Sequence, residues 1–517
     1  DSDGDGIPDS VELGAGLDKD DASDAALDKD GDGLPNLQEY LLGTDIANAD
    51  SDGDGIADGD ELAAGYDPAR HTRIVHVSPS GDDANDGLGA ASAKQSLKAA
   101  VELSRTAAFE NVILLAEGTY SGADNRELDF GGFDIRLVGA SGAEATVIDL
   151  EHSGRLLSLS TGETAGSALA GLTVRNGSAD YGSAACLDKA ALTVSGCVLE
   201  GNAGHHGTFY ATNSSRLLIE GSRFEGNAAA SHGAACHLSG SSMMEALNCI
   251  FTGNTASGYG GALYLNDANA AISRCRFLCN RSATRGGAIY AAGAAGTLDI
   301  ENALFNGNRA VDDYSDIAAM ASGIACRLSH VTMFNGAAAN AASCRFEGSP
   351  TFINSIVLGT VRHNSARPPL ADGNFTVNDW SQYGSGNSNA DPRLTAAGYL
   401  RTDSPCIDAG TSTGAPATDI DGVPRPAGSA PDVGCQEFLD SDADGIPDNV
   451  EIAAGLDKND ASDAALDKDG DSIANLQEYL LGTNIANADS DDDGCPDGDE
   501  LAAGYAPTLF TRIVHVS

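Results

Sequence analysis

Apolar and polar positions in the middle of the chain return on a long beat. The fragments VRN, LEGN, FEGN, FTGN, FLCN and FNGN end on Asn176, Asn202, Asn227, Asn254, Asn280 and Asn308, spaced 26, 25, 27, 26 and 28 residues apart. Three residues before the last five stand Leu199, Phe224, Phe251, Phe277 and Phe305, and two before those Cys197, Ser222, Cys249, Cys275 and Ala303. Residues two apart on a strand share a face, so both columns point inward, while Val198, Arg223, Ile250 and Arg276 point outward. Stacked coils of a solenoid place equivalent residues about 4.8 Å apart. The pattern predicts an all-β fold, a parallel β-helix of about ten coils and roughly 50 Å. An amide ladder would run along one corner, with glycines opening another face at Gly207, Gly233, Gly260–Gly261 and Gly286–Gly287.

Upstream, TRIVHVS (72–78) reads as a strand, followed by the polar loop SGDDANDG. In SAKQSLKAAVELSR, Ser92 and Gln95 suit a capping box, and Leu97, Ala100 and Val101 make an apolar stripe. A helix is therefore expected over about 92–107, with a buried strand in NVILLAEGTY. A solenoid needs such a cap, because its first coil otherwise exposes an open core and a free edge. This order resembles the amino-terminal cap of pectate-lyase-like right-handed β-helices. The pairing of GGA(I/L) with FxxN over residues 170–310 resembles the repeats of polymorphic outer-membrane adhesins. Residues 391–438, from DPRLTAAGYL to DVGCQEF, resemble the closing segment of the choice-of-anchor Q family of bacterial surface β-helix proteins. Cys406 and Cys435 fall within that match and are the pair expected to join if any disulfide forms.

Residues 1–78 return as 440–517 with 16 substitutions and no gap, a repeat with a period of 439 residues. Each copy holds three segments of one spacing, such as DSDGDGIPDSVE, DKDGDGLPNLQE and DSDGDGIADGDE. Carboxylates at positions 1, 3 and 5, Gly at 6, a backbone carbonyl at 7, Asp or Asn at 9 and Glu at 12 suit a hard cation that takes six to eight oxygens. The expected ligands of the first copy are Asp1, Asp3, Asp5, Ile7, Asp9 and Glu12; Asp28, Asp30, Asp32, Leu34, Asn36 and Glu39; and Asp50, Asp52, Asp54, Ile56, Asp58 and Glu61. Those of the second are Asp440, Asp442, Asp444, Ile446, Asp448 and Glu451; Asp467, Asp469, Asp471, Ile473, Asn475 and Glu478; and Asp489, Asp491, Asp493, Cys495, Asp497 and Glu500. There is no room for a full helix before each loop, and the apolar position-7 residue is followed by Pro or Ala. In both respects residues 1–68 and 440–507 resemble thrombospondin type 3 calcium repeats, which implies about three Ca2+ per module and an extracellular setting. Short helical turns are expected after each Glu, ending at Gly. Ser472 stands where Gly33 stands in the first copy, which puts a β-carbon where φ is expected to be positive.

Charge narrows the partners. A formal net charge of −47, from 76 acidic and 29 basic residues, argues against nucleic acid and anionic lipid. No run of 18 apolar residues suits a membrane span. The chain has no initiator Met, which reads as a mature segment or fragment. Eleven cysteines show no CxxC, and Cys275 with Cys279 is only a weak ligand spacing.

Between residues 100 and 439 there is one lysine, Lys189, which leaves little for a lyase base. Glu200 and Glu225 stack in adjacent coils, but Thr252 and Leu278 follow them. Arg274, Arg276, Arg281 and Arg285 make a basic patch, and His206 and His232, with His205 and His237 nearby, suggest a metal site or a mixed ladder continuing to Tyr259 and Arg285. Trp380 is the only Trp. The expectation is a protein that is not an enzyme. The domains are then a calcium module at 1–71, a β-helix at 72–438, a second module at 439–510 and, at 511–517, the opening strand of another β-helix. The expected role is a structural repeat unit of a bacterial cell-surface fibre, filament, surface layer or adhesin, with itself as partner. The alternatives are a β-helix that binds or degrades surface glycans, and a 52 kDa subunit that polymerises by exchanging its terminal strand.

Overall fold

The computed structural model describes residues 1–106, 109–312, 314–334, 342–364, 366, 368–376, 380–491 and 493–508. The chain divides into two units: Asp1–Asp149 with Leu157–Thr173 and Ala190–Thr193, and Leu150–Leu156 with Val174–Lys189 and the chain from Val194 onward. The fold is an all-parallel right-handed β-solenoid of about nine turns with few short helices, one turn fewer than expected.

In the first unit, strand Thr72–Val77 pairs in parallel with Glu110–Leu115, which pairs in turn with Ile135–Gly139. Helix Leu97–Ser104 packs on the first two of these strands through buried Leu97, Ala100 and Val101. It is shorter than the span of 92–107 expected. Its cap is Ser96, whose hydroxyl accepts from the Ala99 N–H at 3.2 Å. Ser92 instead ends a separate 3₁₀ turn and donates to Asp86. Of the expected helix, Ala107 lies outside the described residues, as do residues 511–517, the expected strand of a following β-helix.

In the second unit the repeat resolves into three faces. Val198–Glu200, Arg223–Glu225, Ile250–Thr252 and Arg276–Leu278 stack in parallel without a register slip. A second sheet contains Phe209–Thr212, Cys236–Ser239, Leu263–Asn266 and Ile289–Ala292, and a third contains the two-residue strands from Ala203–Gly204 to Arg309–Ala310. Phe224, Phe251, Phe277 and Phe305 lie fully buried with ring centroids 4.8–4.9 Å apart. At the corner, the side-chain N–H of Asn227 donates to Asn254 Oδ1 at 2.9 Å and to the Leu199 carbonyl at 2.8 Å. The same pair of bonds recurs at Asn202, Asn254 and Asn280. Asn308 ends the run on Asp316. Asn176 is not in the ladder. Gly177 donates its N–H to Asn202 Oδ1, so the corner position of that coil falls one residue after Asn176.

Residues 391–438 run back along the flank of the large sheet. Asp421 pairs with Arg276, the Thr418 carbonyl accepts from Asn302, the Cys435 N–H donates to Thr332 and the Gly434 N–H to the Asn354 carbonyl. A fully buried Arg425–Glu437 pair holds the strap's own turn. Cys406 and Cys435 form no disulfide. Cys406 packs with Ile356, Phe375 and Val433, whereas Cys435 packs with Leu304 and Ile420.

The ladder carries a prediction. Asn254→Ala strands the buried N–H of Asn227 and the Phe224 carbonyl, at about 1–3 kcal/mol for each unsatisfied group. Chemical denaturation should show a loss of at least about 2 kcal/mol, against well under half of that for Asn176→Gly.

Candidate functional site

The acidic loops use their carboxylates in a fixed division of labour. Position 1 folds the turn: Asp28 accepts from Gly31 N and Gly33 N at 2.7 and 3.0 Å. One oxygen of position 3 accepts from the position-5 N–H, as at Asp52 and Asp54, 3.0 Å apart. One oxygen of position 5 accepts from the position-7 N–H, 2.7 Å between Ile7 and Asp5. The other oxygen of Asp3, Asp30, Asp52, Asp442, Asp469 and Asp491 is buried without a hydrogen-bond partner. So are both carboxylate oxygens of Glu12, Glu39, Glu61 and Glu451 and one of Glu478, all on fully buried side chains. Carboxylate oxygens of Asp1, Asp3 and Asp5, of Asp28, Asp30 and Asp32, and of Asp440, Asp442 and Asp444 converge to within 4.8 Å. Burial first, then the neighbouring aspartates, push Glu39 and Glu478 up to about 8, and Glu61 and Glu451 up to about 7. Buried oxygens that converge with no donor fit a hard divalent cation.

Position 9, expected among the ligands, is engaged within the loop. Asp9, Asp58, Asp448 and Asp497 turn both oxygens onto the N–H and hydroxyl of the position-2 serine. Asn36 and Asn475 accept from the N–H of Lys29 and Lys468 and donate to the carbonyls of Asp24 and Asp463. These six side chains close the loop. Each also opens the helix that carries the glutamate (Asp9–Ala15, Asn36–Leu42 and Asp58–Ala64 in the first copy), so Glu12 lies in a first turn and not before it. The helices end on left-handed Gly16, Gly43 and Gly65, as expected.

Asp24, whose oxygens converge with those of Asp5 and Glu12, was not legible as a donor. It lies between two loops, and its only signal is that SDAALDKDGD is identical in both copies. Loops are also tied in series. Asp32 accepts from Gly59 N at 3.0 Å, and a β-carbon on Gly59 would stand 2.1 Å from the Asp32 carbonyl oxygen. Asp54 accepts from Thr72 N at 2.6 Å, reaching the opening strand of the β-helix. Ser472 does adopt φ +82° and keeps the 3.0 Å bond to Asp467 that Gly33 makes to Asp28.

Elsewhere the β-helix gathers rings. Tyr210, His237, Tyr264 and Tyr290 are in register on successive coils, beside a column of Tyr181, His206, His232 and Tyr259. This is the mixed ladder of the two alternatives. The rings stack on one another, His232 on Tyr264 at 4.6 Å and Tyr259 on Tyr290 at 4.4 Å. Burial lowers His206 to about 4 and His237 to about 3, so both are neutral. The arginines do not act as one patch, because Arg276 is taken by Asp421 and Tyr399 beneath the strap. Cys275 is buried and Cys279 exposed, so they share no ligand position. Trp380 is buried against Phe352.

Two predictions come from the loops. Glutamates held above their ordinary value keep their protons longer folded than unfolded, so in a chelator the modules should be most stable in acid. Stability should fall as pH rises from about 4.5 to about 8 and level off beyond, and calcium should abolish the fall; thermal melts at several pH values read this. Relief of left-handed strain by Ser472→Gly should stabilise the second module by about 1 kcal/mol, and Gly33→Ser should cost the first as much.

Against known proteins, the family described as right handed beta helix region matches residues 163–357, and that described as bacterial TSP3 repeat matches 1–16 and 50–70. No curated protein matches the chain. Among solved structures it is similar to the pectate lyase Pel9A at 15% identity and TM-score 0.42, over 71% of this chain and 96% of that one. It is also similar to a rhamnogalacturonan lyase (12%, TM-score 0.29, over 58% of this chain and 87% of that one). A third is the catalytic domain of a GH87 alpha-1,3-glucanase (13%, TM-score 0.30, over 57% and 68%). The expectation that the chain is not an enzyme does not stand against these neighbours, two lyases and a glucanase. At such identity the likeness is one of fold and assigns no activity. The chain thus holds a right-handed β-helix region over residues 163–357 and matches to the bacterial TSP3 repeat at 1–16 and 50–70.

Proposed function

We propose that this chain is a structural repeat unit of a long extracellular, cell-surface protein, in which β-helical rods alternate with joints stiffened by about three Ca2+ per module. In each joint the position-1, -3 and -5 aspartates, the position-7 carbonyl and the position-12 glutamate would hold the ion, with Asp24 and Asp463 added. Bound calcium supplies the positive charge that the converging carboxylates lack. The observation that carries the reading is the junction at Thr72. Asp54 accepts from the Ile56 N–H with one oxygen and from the Thr72 N–H with the other, at 2.8 and 2.6 Å. One carboxylate thus belongs both to a loop and to the start of the first strand. Asp67 N–H donates to Glu110 on the adjoining strand at 2.8 Å, and Arg136 donates to the Gly65 carbonyl. The loop's order is passed directly to the coil, as a stiff joint requires.

The test has two parts. The native polypeptide, reduced and denatured, should have a mass of several 439-residue periods. Removal of calcium at neutral pH should lower the melting temperature of the modules and broaden the distribution of distances in small-angle scattering. Heat stability indifferent to a chelator would sink the joint, and a mass of one period would sink the array.

A further inference from the structure

The nonapeptide NLQEYLLGT occurs at 36–44 and at 475–483 without a change, yet the two copies have different surroundings. In the second module it is docked. The Ala396 N–H donates to the Leu480 carbonyl at 2.9 Å, and the Tyr479 hydroxyl donates to the Leu400 carbonyl at 2.7 Å. Gly482 is pressed close enough that a β-carbon would stand 2.8 Å from that of Ala397. Tyr479 is buried in a cluster with Ile446, Ala464 and Ile485, against which Tyr399 of the strap packs. In the first module the same face is bare among the described residues. Leu41 is 73% exposed and Leu42 38%, whereas Leu480 and Leu481 are largely covered. Nothing lies within 4 Å of where a β-carbon on Gly43 would be.

We infer that this face of the first module is a docking surface for residues 395–400 of another copy of this chain. The face keeps most of what the docked one uses, with Ser10, Gly14 and Asp45 where the docked cleft has Asn449, Ala453 and Asn484. An open cleft lined by Val11, Ala15, Tyr40, Gly43, Thr44 and Ile46 matches, residue for residue, the Val450, Ala454, Tyr479, Gly482, Thr483 and Ile485 that line the cleft beside the strap. Tyr40 has the hydroxyl for the Leu400 carbonyl, the Leu41 carbonyl is in place for the Ala396 N–H, and Gly43 leaves room for Ala397. The occupant is set by chemistry as well as by precedent. In a chain of net charge −47, the segment TAAGYL carries no ionisable group except a phenol, so it can approach an acidic module without repulsion. The inference rests on the proposed function only in requiring that copies follow or meet one another.

Within one chain residues 395–400 are already covered by the second module, so the test frees them. Leu480→Asp with Tyr479→Phe removes an apolar contact and the hydroxyl bond. The module itself should be spared, because the matching Leu41 stands exposed in a folded module. In calcium, sedimentation velocity of the full chain should show the double variant associating as concentration rises to about 100 µM, and adding Leu41→Asp should return it to a monomer. A double variant that stays monomeric, or association that survives Leu41→Asp, overturns the inference. Should the double variant fail to regain its calcium-dependent circular dichroism, the unmodified chain decides. A peptide of residues 393–402 at millimolar concentration should slow amide hydrogen exchange at 41–44, and unchanged exchange there counts against the docking. A native mass of one period with this association intact would remove the covalent array and leave the docking standing.

Discussion

A coil stacked in parallel on its neighbour must place each residue about 4.8 Å from its own counterpart. Everything the second unit holds inside answers to that spacing. Groups that attract their own kind can fill such a column, and groups that repel it cannot. Phenyl rings gain by stacking, so Phe224, Phe251, Phe277 and Phe305 align. A primary amide is both donor and acceptor, so each asparagine satisfies the next while closing the backbone of the preceding corner. Like charges gain nothing in this way, and the stacked pair Glu200 and Glu225 stands outside the core, where Glu225 is paired with Arg223.

The acidic modules are built on the opposite arrangement. Their carboxylates converge instead of stacking, and hydrogen bonds occupy just enough oxygens to fix the loop. The remainder point into a small volume with no donor. Such an arrangement is unfavourable in water at neutral pH unless a counter-charge completes it.

The fold was legible where the repeat is chemically loud. Phenylalanines and asparagines at a nearly constant spacing state both the coil length and the register, but coils of 25 to 28 residues leave room to misplace Asn176 by one. The loop offsets likewise state which oxygens gather. They do not state which carboxylates are spent on the loop itself, because an aspartate that bonds to a serine seven residues earlier looks the same as one that faces an ion. The part that Asp9 and Asp58 play in closing the loop was hidden for that reason, and Asp24 was missed because its place is set by the packing of one loop against the next. The strap shows the same limit. Its sequence announced an ending, but its course along the flank depends on contacts between residues more than a hundred positions apart, such as Arg276 and Asp421.

That course changes how the solenoid comes apart. A stack of repeats in which each coil touches only its neighbours behaves as a one-dimensional chain and can fray from an end, one coil at a time. Residues 391–438 are bonded in turn to Arg276, Asn302, Thr332 and Asn354, which lie on four successive coils. None of these coils can peel away while the strap holds, and the buried Arg425–Glu437 pair within the strap is costly to open. The last coils therefore come apart as a single block, so resistance to fraying is concentrated at one end of the β-helix, where a bare stack would be weakest.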